Sequence, residues 1–156
     1  MSRPSLLEAL GNPGSIVIDT SVLIAYLDGG EVFSPAATFL LDQLVAGGSH
    51  PAVISAVTVT ECLVRPFRAG PAAVATAATF LGHFPNLRVR PIDHVVSMEA
   101  ARVRALTGLR TPDAIVIATA LVEDIATIVT GDKQWDRALS DFEGLRVVQL
   151  RASLQE

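Results

Sequence analysis

The chain is expected to fold as an α/β protein, a three-layer α/β/α sandwich around a central, mainly parallel sheet. Short β-branched runs alternate with helix-patterned stretches along its length, as strands joined by crossover helices do. Half of the 156 residues are hydrophobic and only 18% are charged. Mean hydropathy is +0.45, an apolar excess that a sheet covered on both faces absorbs. A surface that pairs with a second subunit would absorb the rest. No linker, repeat or low-complexity tract divides the sequence, so residues 1–156 are expected to be one domain, with 1–14 as an N-terminal extension.

Taken in order, Gly11-Asn12-Pro13-Gly14 is a loop signal, and Ser15 to Ile18 is a β-branched strand ending at Asp19. Ser21 to Leu27 turns helical and closes at Asp28-Gly29-Gly30. Ser34-Pro35 opens a helix over Ala36 to Val45, stopped by Gly47-Gly48. Ala52 to Ser55 is a second strand, with Thr58 as the cap of the helix that follows. That helix is expected to pause at Pro66 and resume from Pro71 to Gly82. Leu87 to Ile92 alternates apolar and basic side chains, which predicts a strand with one open face. Asp93 to Leu106 is helical, Thr111-Pro112-Asp113 begins a helix through Val122, and Ala126 to Val129 is a strand leading to Thr130-Gly131-Asp132. A short helix and a last strand, Arg146 to Leu150, complete the pattern.

Several function classes lose their usual parts. The longest apolar stretch, Ala114 to Val122, is far short of the roughly twenty residues a bilayer span needs. The opening MSRPSLLEALGNPGS has no long apolar core of a secretory signal. Cys62 is the sole cysteine, which excludes an internal disulfide and a cysteine-rich zinc site and fits a reducing cytoplasm. His50, His83 and His94 form no ligand pair at helical spacing, so surface or loop roles are expected for them. No Walker loop, GxGxxG or nucleophile elbow is present. The net charge of −4 argues against nucleic-acid binding, unless several acids are metal ligands whose cations reverse the local field.

Four acids carry the chemistry. Asp19 ends the first strand, where a helix cap is the ordinary role; in an open parallel sheet, however, ligands gather at the carboxyl ends of strands. Glu61 closes Thr58-Val59-Thr60-Glu61, a capping box, and Arg65 lies one turn on, at ion-pair spacing. Asp113 follows Thr111 and Pro112 in a first helical turn, where its charge complements the dipole. Asp132 follows a strand, and Asp136 comes one turn later, on what would be the same face. Trp135 between them is expected to pack. Carboxylates crowded at one rim repel, and either raised pKa values or a bound divalent cation relieves them.

The segments VIDTSVLIAYL, TVTECLVRP, LRTPDAIVIATAL and IVTGDKQWDRA, in this order, resemble the PIN-domain nucleases, in particular the VapC-type toxins of toxin–antitoxin pairs. The resemblance implies a Rossmann-like sandwich whose acidic positions are Asp19, Glu61, Asp113 and Asp132. It gives Asp136 an occasional role in holding metal, and Thr20 or Ser21, together with Thr130, supporting hydroxyls. It implies hydrolysis of RNA phosphodiesters with one or two Mg²⁺ or Mn²⁺ ions, a VapB-type antitoxin partner and a homodimer. Arg65, Arg68 and Arg110 are candidate phosphate contacts. Two departures stand out: Pro112, not a basic residue, adjoins the third acid, and the stretch before Asp19 is longer than a minimal member's. The alternatives are a catalytically silent PIN-like module that binds RNA or protein, and a phosphohydrolase of small phosphate esters.

Overall fold

Five parallel strands form the central sheet: β1 (Ile16–Ile18), β2 (Ala52–Ser55), β3 (Leu87–Arg90), β4 (Thr127–Thr130) and β5 (Arg146–Gln149), in the order β3-β2-β1-β4-β5. The computed structural model describes residues 3–151. The first two residues of the expected N-terminal extension, and the last five of the chain, lie outside the described residues. Eight α-helices join or flank the strands: α1 (Arg3–Leu10), α2 (Thr20–Asp28), α3 (Ser34–Phe39), α4 (Ala56–Ala69), α5 (Pro71–His83), α6 (His94–Thr107), α7 (Thr111–Val122) and α8 (Gln134–Ala138). A π-helical turn, Leu40–Val45, prolongs α3.

The alternation of side chains along each strand divides the core into two layers. Ile16 and Ile18 of β1, Ile54 of β2 and Val129 of β4 face α1, α2, α3 and the π turn. Val17, Val53 and Ile128, each one residue out of step, face α6, α7 and α8. This is the period-2 rule of a strand applied to a sheet that is dry on both sides, and it yields the expected three-layer sandwich. The central β1 and β4 are buried throughout, whereas β3 at the edge departs from the expected single open face: Val89 is exposed along with Arg88, and Leu87 alone is buried.

Helix α7 is apolar nearly all round, and Ala114, Val116, Ile117, Ala118, Thr119 and Ala120 are all buried. Its burial carries the opening residue Asp113 to the edge of the core. Helix α1 covers one end of the first layer with Leu6 and Leu10; Arg146 Nη2 donates to Leu10 O at 2.6 Å. Among the described residues, no single helix is long and apolar enough to cross a membrane.

Several local expectations are corrected. Thr58 is not a cap: the helix starts three residues earlier, where Ser55 Oγ accepts from Val57 N–H, because β2 runs directly into α4. Pro66 does not interrupt α4, which ends at Gly70, whose φ of 131° suits a residue without Cβ. The proline removes a single N–H, and the Gly70 N–H bonds Pro66 O at 3.0 Å beyond it. Thr111 does not cap α7; Arg110 holds that position, and the Thr111 hydroxyl accepts from Arg104. His50 lies in the loop before β2, one of the two expected placements, and is buried beside Ser49.

Candidate active site

The two halves of the sheet diverge between β1 and β4, and their carboxyl ends open there onto one crevice. Asp19 continues β1 by one residue, with its N–H donating to Val129 O of β4 at 2.9 Å. It stands at the N-cap position of α2 without closing a side-chain cap bond. Instead its Oδ2 accepts from Ser21 Oγ at 2.7 Å and from Thr130 Oγ1 at 2.9 Å. The side chain is buried, and no Lys or Arg pairs with it among the described residues. Burial raises its pKa, and the two hydroxyl donors work against that rise.

The same two hydroxyls fix the β4 end. Thr130 Oγ1 accepts from Asp132 N–H at 3.0 Å, and Ser21 Oγ accepts from Gly131 N–H at 2.9 Å. Each hydroxyl therefore donates to Asp19 and receives from the turn that carries Asp132. The turn is braced from outside by groups with no local sequence signal. Gln149 Nε2 donates to Asp132 O at 2.6 Å, and Arg151 Nε donates to Gly131 O at 2.5 Å. The Arg151 guanidinium lies 4.6 Å from the centre of the Phe33 ring. That ring leaves no room at residue 131, where a Cβ would lie 2.7 Å from Phe33 Cζ. Asp132 Oδ1 accepts from Gln134 N–H at 2.9 Å, a tight turn leading into α8.

Glu61 arrives from α4. No capping box forms, since Thr58 lies inside the helix and is fully buried. The Glu61 Oε1 atom accepts from Thr20 Oγ1 at 2.9 Å, and Thr20 also shares a hydrogen bond with Thr58 (3.0 Å). The expected Glu61–Arg65 pair is absent: Arg65 reaches across to Asp28 of α2 at 2.6 Å. Asp113 opens α7 with its side chain 16% exposed and Arg110 Nε 3.6 Å away. Its pKa is pushed up to about 6, first by burial and then by the charges of Asp19, Asp132 and Glu61, against the pull of Arg110. Carboxylates from α4, α7 and the ends of β1 and β4 thus share one electrostatic environment.

The donor set is oxygen only, which suits a hard divalent cation. Among the described residues no three His, Cys, Asp or Glu side chains form a ready cage. That is compatible with Mg²⁺, which typically takes one or two carboxylates and completes its shell with water and phosphate. The buried, cation-free Asp19 and the crowded Asp113 are the observations that fit such an ion here.

The remaining expected residues divide. Arg110 lines the cavity beside Asp113 and Asp132. Asp136 is exposed and joins neither the carboxylates' hydrogen bonds nor that cavity, because burying Trp135 and Leu139 turns it away. Arg65 belongs to the groove between α2, α4 and α5, and Arg68 is exposed further along α4. Thr58, Gln149 and Arg151 touch the site's framework without having been anticipated. So does α8, whose Gln134 and Arg137 line the cavity together with Asp141 beyond its end.

The PIN domain family profile matches residues 16–139. No curated protein matches the chain. Among solved structures, a toxin–antitoxin complex from Klebsiella pneumoniae is 20% identical with a TM-score of 0.64, over 86% of this chain and 97% of that one. FitAcB from Neisseria gonorrhoeae is 20% identical with a TM-score of 0.66, over 87% and 98%. A sarcin–ricin loop cleaving VapC toxin of Mycobacterium tuberculosis is 20% identical with a TM-score of 0.63, over 84% and 98%. At these identities the structures speak for the fold. The profile covers most of the sequence, from β1 through the carboxylates to α8, and the chain belongs to the PIN-domain family.

Proposed function

We propose that this chain is a divalent-cation-dependent endoribonuclease, a VapC-type toxin held in check by a VapB-type antitoxin. The observation that carries this reading is that Asp113 is acted on by Asp19, Asp132 and Glu61 together, its pKa being pushed up to about 6 first by burial and then by their charges. The solved neighbours support it, since they include a toxin–antitoxin complex and a toxin that cleaves the sarcin–ricin loop.

Asp19, Asp113 and Asp132 hold Mg²⁺ or Mn²⁺, with Glu61 as a further ligand or as the group that orients the attacking water. Bound there, such a cation would supply hydroxide near neutral pH and would offset the charge of an approaching phosphate. The chain's own part is placement. Ser21 and Thr130 fix one oxygen of Asp19, and Thr20 fixes one oxygen of Glu61. Both carboxylates keep a second oxygen outside these bonds. Arg110, mostly exposed beside Asp113, contacts the incoming phosphate.

The antitoxin takes the same acidic crevice with a basic residue, which relieves the repulsion a metal would relieve. A second copy of the chain covers exposed apolar surface such as Val95 and Met98, one turn apart on α6. Incubation with total RNA tests the central claim. Fragments are expected with Mg²⁺ and not with EDTA, and Asp19→Asn should lower the rate at least about 100-fold while remaining folded. An Asp19→Asn protein that cuts RNA at the parental rate would refute the assignment.

A further inference from the structure

Beside Asp113 and Asp132 lies a cavity of about 620 Å³, within the range of about 300–1,000 Å³ usual for small-ligand sites. One wall is α8 and the turn after it, which present Gln134, Arg137 and Asp141. Gln134 and Arg137, at i and i+3, lie on one side of α8 and Asp141 follows in the turn beyond it, while Trp135 and Leu139 are buried in the core. The opposite wall is the last turn of α6 and its loop, with Leu106 and Arg110. Gly108, at φ 70°, turns the chain there. The wall between is made by Asp113 and Asp132 themselves, so any ligand in this cavity abuts the acidic crevice.

The lining is chemically mixed in a way that narrows the ligand. Arg137 makes no ion pair among the described residues, and its planar fork suits a phosphate. Leu106 is 66% exposed at the mouth, an apolar face with nothing on it. A bare inorganic anion would leave Leu106 and most of the volume unused, and an apolar ligand would bury carboxylates without partners. A nucleotide unit offers what both walls lack: an anion for the arginines, a flat face for Leu106 and a polar edge for Gln134 and Asp141.

We infer that this cavity seats the nucleotide of a single-stranded RNA that adjoins the phosphodiester held at the four acids, with Arg137 on its phosphate and Leu106 against its base. The inference rests on the nuclease reading above and adds the substrate's path to it. Arg137 is a positioning residue here, and its loss weakens binding before any bond is cut.

The test is fluorescence anisotropy of a labelled single-stranded RNA oligonucleotide in EDTA, where nothing is cleaved, across a range of salt. Arg137→Ala is expected to bind at least about fivefold more weakly, with the slope of log K against log salt reduced by about 0.7, as loss of one phosphate contact on a single strand requires. Arg88→Ala, on the far edge strand, is the control and should match the parental protein. Leu106→Glu, which sets a carboxylate at the mouth without touching the core, should weaken binding as well and serves if Arg137→Ala does not fold. Equal affinity and slope for Arg137→Ala and Arg88→Ala overturn the inference, as does a parental protein that binds no RNA. Cleavage with Mg²⁺ is scored separately. Cutting that persists while Arg137→Ala binds normally sinks only the cavity assignment. RNA binding that depends on Arg137, with no cutting by the parental protein, sinks the nuclease reading instead.

Discussion

Asp113→Asn is expected to stabilise the metal-free protein at neutral pH, an outcome opposite to that of most substitutions near a core. The folded Asp113 has a pKa of about 6 against an ordinary 3.8, so the folded state binds this proton more tightly than the unfolded chain. The stabilisation that follows is complete below pH 3.8 and is lost as pH rises through 6. Above that, holding the ionised carboxylate partly buried, and then near Asp19, Asp132 and Glu61, costs about 3 kcal/mol relative to the unfolded chain. Asparagine keeps the shape and removes the charge, and forfeits only the 3.6 Å attraction of an exposed Arg110, which solvent screens. The net gain at pH 7.5 is about 2–3 kcal/mol, or about 5–10 °C in Tm for a chain of this size. Thermal melts in EDTA at pH 7.5 and pH 3.5 measure it, with the gap closing at the lower pH. A variant that melts at or below the parental temperature at pH 7.5 would show that the four carboxylates do not share a field.

Thr130→Val removes the donor to Asp19 and the acceptor for Asp132 N–H at nearly constant shape. It should cost about 1–3 kcal/mol in denaturant unfolding, since the buried Asp19 oxygen keeps only Ser21 as donor and the Asp132 N–H loses its acceptor; an unchanged midpoint would contradict the relay. Gly131→Ala places a Cβ 2.7 Å from Phe33 Cζ and should lose about 1–3 kcal/mol by overpacking. Phe33→Leu in the same chain should restore part of that loss, and no recovery would mean the ring is not the obstacle.

What was legible in the sequence follows from what each signal encodes. Asp19 and Asp132 could be singled out because an acid at or just beyond the end of a β-branched run is a local pattern, and the sheet order brings β1 and β4 side by side. Glu61 was expected in the site only through the family resemblance, its local reading being a capping box. Its capping-box spacing is real in the sequence, but β2 ends at Ser55 and the helix has already begun by Thr58. Its partner is Thr20, forty-one residues away, and nothing local announces that. Asp136 illustrates a signal left unused. Trp135 and Leu139 stand four apart, and burying both rotates α8 so that Gln134, Arg137 and Asp141 line the cavity. Gln149 and Arg151 act through bonds to backbone carbonyls, which any sequence could accept, so composition carries no trace of them.

The framework of the site also explains why it can stay charged and still fold. Asp19 has no cationic partner among the described residues, only hydroxyls, and hydroxyls satisfy a carboxylate without neutralising it. An arginine paired with Asp19 would neutralise its carboxylate, but it would occupy the crevice for good. Ser21 and Thr130 instead hold the geometry while leaving the field negative, and Asp113 carries the resulting strain in its raised pKa. Repulsion retained in this way sets the sign of every ligand effect. A divalent ion or a basic side chain entering the crevice stabilises the protein by the interaction the fold itself withholds.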